Sequence, residues 1–122
     1  MRIGNGLVFA PFSISLFTSK KKFKKELKRI KAPKGLVFIV DGGDATTHFI
    51  GSHCIVCIKK YKKTKWSKSQ IHCLLVHEAV HLWQEVRSHI GEDNPSAEFE
   101  AYSIQQLSQN LIDAYEGSLN DN

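Results

Sequence analysis

Residues 73–83 read Cys-Leu-Leu-Val-His-Glu-Ala-Val-His-Leu-Trp, which places His77 and His81 four positions apart with Glu78 beside the first. In a helix, side chains four residues apart project from one face, so both imidazoles can bind a single metal ion. A carboxylate one residue after the first histidine lies too far back to bind that ion, but it can take a proton from a metal-activated water. The spacing therefore predicts the core of a zinc hydrolase site on a helix.

The residues around this motif are mostly apolar. On a helical wheel they form one broad arc, which comprises Leu75, Val76, Ala79, Val80, Leu82, Trp83, Val86 and Ile90. The trio of His77, Glu78 and His81 takes most of the remaining arc. Burying two imidazoles and a carboxylate without partners costs free energy, so a helix of this kind favours a metal that satisfies them.

Two longer stretches of sequence surround the motif and follow it. Residues 77–84 read His-Glu-Ala-Val-His-Leu-Trp-Gln, and residues 98–105 read Glu-Phe-Glu-Ala-Tyr-Ser-Ile-Gln. Over Ile71 to Gln106 the chain resembles the HExxH zinc metallopeptidases of gluzincin type, and is similar in particular to small, uncharacterised phage and prophage metallopeptidases. The resemblance implies a zincin-like peptidase with Zn²⁺ as cofactor, His77 and His81 as ligands and Glu78 as the catalytic general base.

A catalytic zinc usually has three protein ligands and one open position. The metzincin branch is excluded, because it needs a glycine and a histidine where this chain has Gln84 and Arg87. The gluzincin resemblance implies that Glu98, on the following helix, is the third ligand, since Glu98-x-x-Ala101 is similar to the family pattern Glu-x-x-Ala-Asp. Tyr102 stands in place of that Asp, and we expect it to orient a ligand histidine or to stabilise an oxyanion.

Glu100 is the competing third ligand. On the wheel of the second helix it falls within the inward stripe, which comprises Ala97, Ala101, Ile104, Leu107, Ser108 and Leu111. Wheel position therefore favours Glu100, whereas the resemblance favours Glu98. Acidic residues at a helix N-terminus are also common for their interaction with the helix dipole alone.

The length of 122 residues predicts a single domain over residues 1–122, and 42% hydrophobic with 24% charged residues is typical of a soluble globular protein. No apolar run approaches the roughly 20 residues of a membrane helix. The apolar segment 7–17 lacks a cleavage site of small residues, so we interpret it as a strand rather than a signal peptide. Three cysteines, an odd number, favour a reducing compartment, and we expect the cytoplasm of a bacterial host cell.

Basic residues are concentrated in two segments. All 17 lysines and arginines except Arg2 and Arg87 lie in Lys20–Lys34 or Lys59–Lys68, in a chain of net charge +5. Such segregation indicates an anionic partner: nucleic acid, an anionic cell-wall polymer or an acidic protein substrate. Lysine without interleaved aromatic residues is a weak signal for specific nucleic-acid recognition, so a solvated lysine-rich face is the alternative.

The fold expected is α+β, a minimal zincin-like domain with a small antiparallel or mixed sheet packed on the HExxH helix. An N-terminal amphipathic helix and a C-terminal helix complete it. The predicted elements are a strand at 7–17, a helix at 19–31 with the stripe Phe23, Leu27 and Ile30, a strand at 36–40, a turn at 41–44, a strand at 47–58, a helix from a capping box at 67–70 to residue 88 or 89, and a helix at 95–115 capped by Asn94.

Smaller features of the predicted hairpin remain open. His48 and His53 are either transition-state stabilisers in the cleft or surface histidines. Cys54 and Cys57, three apart in a strand, should face opposite sides of the sheet, so we interpret them as buried apolar residues and not as a metal-binding pair.

Two other functions are consistent with the same sequence. An amidase or endopeptidase acting on peptidoglycan peptides during phage lysis would use the same metal chemistry. A non-catalytic zincin-fold module would bind nucleic acid or a phage partner through its lysine-rich face. Glu78 argues against the second alternative, because a structural metal site has no use for a general base.

Overall fold

The molecule has three layers: one helix, a sheet, and two further helices. The computed structural model describes residues 2–3 and 12–121. Its elements in chain order are β1 (Arg2–Ile3), β2 (Ser13–Phe17), α1 (Lys20–Arg29), β3 (Ala45–Ile50), β4 (His53–Ile58), a 3₁₀ turn (Tyr61–Lys63), α2 (Lys68–His89) and α3 (Ala97–Gly117). The predicted α+β class is confirmed. Within the described ranges, no helix combines the length and apolarity needed to cross a bilayer.

The sheet is mixed and has the order β1-β2-β4-β3. β2 runs parallel to β4, with Ile14 opposite Cys54. β3 runs antiparallel to β4, with Thr47 opposite Val56. β3 therefore forms one edge of the sheet. The strand predicted at 7–17 is present as β2 from Ser13 onward, and residues 7–11 lie outside the described part.

Alternate strand residues face opposite layers, as strand geometry requires. The face toward α2 and α3 carries Ile14, Leu16, Cys54, Val56 and Ile58. The face toward α1 packs through Phe17, Phe23, Ile55 and Cys57. Because both faces of the sheet are covered, β4 is apolar at nearly every position.

α1 forms where the pattern predicts it. The Ser19 hydroxyl caps it by accepting a hydrogen bond from Lys22 N at 3.2 Å. Phe23 is buried under the helix, with Leu27 and Ile30 packed against the same cluster. The helix ends at Arg29, and Lys31, which follows the C-cap residue Ile30, has a φ of 55°.

The strand predicted at residues 36–40 is wrong. These residues form an irregular connection in which Val37 and Val40 are 54% and 51% exposed. Phe38 instead lies on Phe23, with ring centroids 5.6 Å apart, and Ile39 joins the same cluster. An apolar run of this length indicates burial but does not indicate which element it packs against. Here it covers α1, because both neighbours of β4 in the sheet are already β2 and β3.

The single strand predicted at 47–58 is also wrong, since it is two strands joined by a tight turn. β3 and β4 pair through Ile50 opposite His53, which leaves Gly51 and Ser52 as the loop. Gly51 has a φ of 58°, a conformation that two-residue hairpin turns require and glycine adopts without strain. A hairpin is therefore present, but its strands are β3 and β4.

The two C-terminal helices begin at serine caps. The predicted capping box of α2 is confirmed, with Gln70 N donating to Ser67 Oγ at 3.1 Å and Ser67 N donating to Gln70 Oε1 at 2.7 Å. α3 is capped by Ser96, whose hydroxyl accepts from Phe99 N at 3.2 Å. The predicted cap at Asn94 is wrong, because Ser96 is the residue that reaches the free N–H groups.

The cysteines provide a test of these layers. Cys54 and Cys57 are buried on opposite faces of the sheet, as predicted, and burial raises the pKa of Cys54 to about 12 and also raises that of Cys57. Cys73 is exposed on α2. Because the thiolate is the reactive form, a chromogenic thiol reagent should titrate one cysteine in the native protein and all three after denaturation. A native count above one would contradict the burial of β4.

Candidate metal centre

Two nitrogen atoms on one face of α2 lie within hydrogen-bond distance of each other. His77 Nε2 and His81 Nε2 are 3.2 Å apart, with ring centroids separated by 4.8 Å. Two nitrogens that each lie about 2.0–2.1 Å from a tetrahedral zinc are about 3.3 Å from one another. The separation in this structure therefore fits two ligands of one zinc ion, and imidazole is a donor that suits zinc.

The other ring nitrogen of His81 is held within the helix. Nδ1 lies 3.2 Å from Gln84 Oε1, which accepts a hydrogen bond when the ring is in the tautomer with its proton on Nδ1. This tautomer leaves the lone pair on Nε2, the nitrogen that faces His77. A donor–acceptor partner behind a ligand histidine is the usual way in which proteins orient it toward a metal.

The two imidazoles are more exposed than the apolar surroundings of the motif suggested. His77 and His81 are exposed, and only Glu78 of the trio is buried. The apolar arc is narrower than predicted, because Val76 and Ile90 are also exposed. The expectation that both histidines are buried is thus wrong, and the geometry of their nitrogens is the better argument for a metal.

Glu78 faces the sheet and is bound by it. Its Oε2 accepts a hydrogen bond of 2.7 Å from Thr47 Oγ1 on β3. Thr47 points toward α2 because it lies opposite Val56, whose side chain belongs to the core on that side. This hydrogen bond fixes one oxygen of the carboxylate at the wall of the cleft.

Glu78 and His81 border a cleft between α2 and the edge strand β3. The cleft has a volume of about 510 Å³ and is lined by Thr47, Phe49, Glu78, His81, Gln84, Glu85 and Ser88. Ligand sites commonly measure about 300–1,000 Å³, so a small substrate segment fits here. A candidate base and a candidate metal ligand therefore face a space that substrate can enter.

The residues predicted from the resemblance on α3 lie on its outer side. The buried stripe of this helix includes Ser103, Leu107 and Leu111, and Glu98 and Tyr102 fall on the opposite side of the wheel. Glu98 is exposed, and Tyr102 is 66% exposed. The structure therefore does not bring either side chain to the histidine pair.

Glu100 points inward, as its wheel position predicts, but toward another part of α2. Its Oε2 accepts a hydrogen bond of 2.9 Å from Trp83 Nε1. Trp83 follows His81 by two residues, about 200° around the helix, so this carboxylate is held on a different face. Within residues 12–121, no three His, Cys, Asp or Glu side chains are grouped closely enough to hold a metal. In this part of the chain, the structure brings together the two histidine nitrogens without a third side chain of these types.

The two strand histidines lie on the wrong side of the sheet to act in the cleft. His48 is opposite Ile55 and stacks on Phe23, with ring centroids 5.2 Å apart. His53 precedes Cys54, which faces α2, so His53 faces the α1 side. The interpretation that either residue stabilises a transition state is therefore wrong.

Two residues of the site were missed by sequence reasoning. Gln84 carries a detectable signal, because residues three apart on a helix are neighbours and Gln84 follows His81 at that spacing. Thr47 carries none, since its contact with Glu78 depends on how β3 packs against α2. Comparison of the chain with protein-family models, with curated proteins and with solved structures finds no match.

Proposed function

We propose that this protein is a zinc-dependent peptidase in which His77 and His81 hold the metal and Glu78 is the general base. The observation that carries the proposal is the 3.2 Å separation of the two imidazole nitrogens, one turn apart, beside a carboxylate that borders the same cleft. The arrangement of an edge strand next to the HExxH helix supports a zincin-like assignment.

The residues of the chain have distinct tasks in this proposal. A zinc ion would acidify a water molecule and polarise the substrate carbonyl. Glu78 takes the proton of the attacking water at Oε1 and later gives it to the leaving amine. Thr47 holds the other carboxylate oxygen, and Gln84 holds the ring of His81.

The edge strand supports a peptide as the substrate. Within the described residues, β3 pairs only with β4, so the backbone groups on its outer side are available to an extended chain. A peptide that adds a strand there would run past the cleft, because Thr47 and Phe49 of β3 line it. Main-chain hydrogen bonds would then position the bond to be cleaved without strong sequence preference.

The direct test measures zinc content and hydrolysis together. Protein purified without a histidine tag should contain about one zinc per chain by plasma mass spectrometry, and should cleave an unstructured protein or peptidoglycan-derived peptides. A chelator should stop cleavage, and added zinc should restore it. Absence of bound metal, even after zinc is supplied, would contradict the proposal.

Thr47→Val tests how the base is held. The substitution keeps the shape of the side chain but removes the hydroxyl that donates to Glu78. We expect kcat to fall about tenfold with KM unchanged, because groups that orient catalytic residues typically contribute about 10–100-fold. Thr47→Ser should restore kcat, since it restores the hydroxyl. Equal kcat in wild type and Thr47→Val would show that Thr47 does not position Glu78.

The third ligand is tested by comparing two acidic residues of α3. We retain Glu98 as the proposed ligand because of the family resemblance. This role requires the first helical turn of α3 to reorient, so that the Glu98 carboxylate faces α2. Zinc should be lost in Glu98→Ala and kept in Glu100→Ala, because Glu100 is held by Trp83. Zinc retained in both variants would exclude Glu98 and leave the proposed histidine ligands intact.

A further inference from the structure

A second groove lies on the opposite side of the sheet from the metal centre. It measures about 690 Å³ and is lined by Lys20, Lys24, Lys59, Asp41 and residues 35–39. We call it the basic groove. Its three lysines outnumber its single carboxylate, so it carries net positive charge.

Two of the three lysines of the basic groove are available to a partner. Lys20 and Lys24 are exposed and form no ion pair within residues 12–121. Lys59 pairs with Asp44 at 3.6 Å. Asp44 also lines a neighbouring groove with Lys62, Lys63, Lys65 and Trp66. The two basic segments of the sequence therefore meet at the Lys59–Asp44 pair and form one positive surface.

Apolar side chains are exposed on the connection that lines this groove, and we call this part of the connection its rim. Val37 and Val40 are 54% and 51% exposed, while Phe38 between them is anchored on Phe23. The connection therefore presents two aliphatic side chains from a fixed base. Exposed aliphatic residues next to unpaired lysines leave apolar surface in water unless a partner covers it.

We propose that the basic groove and its rim dock the protein on an anionic lipid surface. Lysines near such a surface attract acidic headgroups, and each contributes about fivefold to the partition coefficient. Val37 and Val40 would enter the boundary between headgroups and acyl chains, as apolar side chains of peripheral proteins do. Insertion is shallow, because residues 36–39 have irregular backbone whose polar groups must stay hydrated.

The composition of the surface favours lipid over nucleic acid. Nucleic-acid sites combine phosphate contacts with aromatic or arginine side chains that stack on bases. Here the exposed rim of the basic groove is aliphatic, and the aromatic Trp66 lies in the neighbouring groove. Arg29 is engaged by Glu26 through two hydrogen bonds of 2.7 and 2.8 Å. Valine side chains gain nothing from phosphodiester groups, but they gain from leaving water at a bilayer.

Co-sedimentation with vesicles tests the proposal. The full chain should bind vesicles that contain phosphatidylglycerol and should not bind vesicles of pure phosphatidylcholine, and added salt should weaken the binding. Lys24→Glu should lower the partition coefficient about tenfold or more. Lys25→Glu changes the net charge equally on the other flank of α1, beside Phe17 and Arg29, and should have a much smaller effect.

The apolar part has its own matched variants. The double variant Val37→Ser and Val40→Ser should lower vesicle binding about tenfold. Each substitution removes about half of the free energy that a valine side chain gains on leaving water at the lipid boundary. Val76→Ser, an exposed valine on α2, should leave binding unchanged. If Lys24→Glu and Lys25→Glu lost vesicle binding equally, the effect would be one of net charge alone, and the proposed docking surface would be wrong. Tighter binding to a DNA duplex, with no effect of the rim valines, would overturn it in favour of nucleic acid.

Discussion

Replacing Glu78 by glutamine is expected to remove most of the hydrolytic activity while leaving the metal bound. The amide keeps the size of the side chain and can still meet Thr47, but it cannot accept a proton from the attacking water. Removal of a general base typically costs about 10²–10⁴-fold in rate. Turnover of an unstructured protein should therefore fall by that factor, and zinc content should match that of wild type.

Glu85→Gln provides the matched control for this experiment. Glu85 lines the same cleft on the same helix, so its substitution removes an equal charge from the same surroundings. It lies almost two turns beyond Glu78, however, and should lose little activity. If turnover fell equally in Glu78→Gln and Glu85→Gln, the loss would reflect the electrostatic potential of the cleft, and Glu78 would not be the base.

Replacing His77 or His81 by alanine is expected to remove the zinc. Each histidine supplies one of the two nitrogens that lie 3.2 Å apart, and a zinc site reduced by one ligand binds far more weakly. In the proposed site, zinc at a hundred times its dissociation constant would stabilise the folded wild type by about 2.7 kcal/mol. That corresponds to an increase in Tm of about 10 °C for a domain of this size. Both variants should lose this zinc-dependent increase.

His72→Ala and His89→Ala are the controls, because both residues are on the same helix but face other partners. His72 lies near Glu116 and Tyr115, and His89 contacts Phe12 and Glu85. Zinc should raise the Tm of both control proteins as it does for wild type. If all four histidine variants kept the zinc-dependent increase, the metal would bind elsewhere and the HExxH assignment would be wrong.

Prediction from sequence was most accurate where the signal is local. The capping box at Ser67 and Gln70, the helix of the HExxH motif and the amphipathic helix α1 all depend on residues within one or two turns of each other. The same holds for the approach of His77 to His81, since a helix alone brings residues four apart together. These features follow once the helix is known.

Prediction failed where a segment needed a distant partner. Residues 36–40 have the composition of a buried strand, yet the partners of β4 are β2 and β3, and the segment covers α1 instead. The turn at Gly51 was missed because apolar residues run on both sides of it. Burial is visible in such a run, but the element that provides it is not.

The sequence by itself determined that one helix carries two histidines at metal-binding spacing, with a carboxylate beside them. The tertiary structure alone decided that Thr47 holds Glu78, that His48 faces away from the cleft, and that Trp83 holds Glu100 on another face of α2. The physical reason is range. Helical spacing is fixed by hydrogen bonds between neighbouring turns. These contacts depend instead on strand register and on the packing of the layers, and both are determined by residues that lie far apart in the chain.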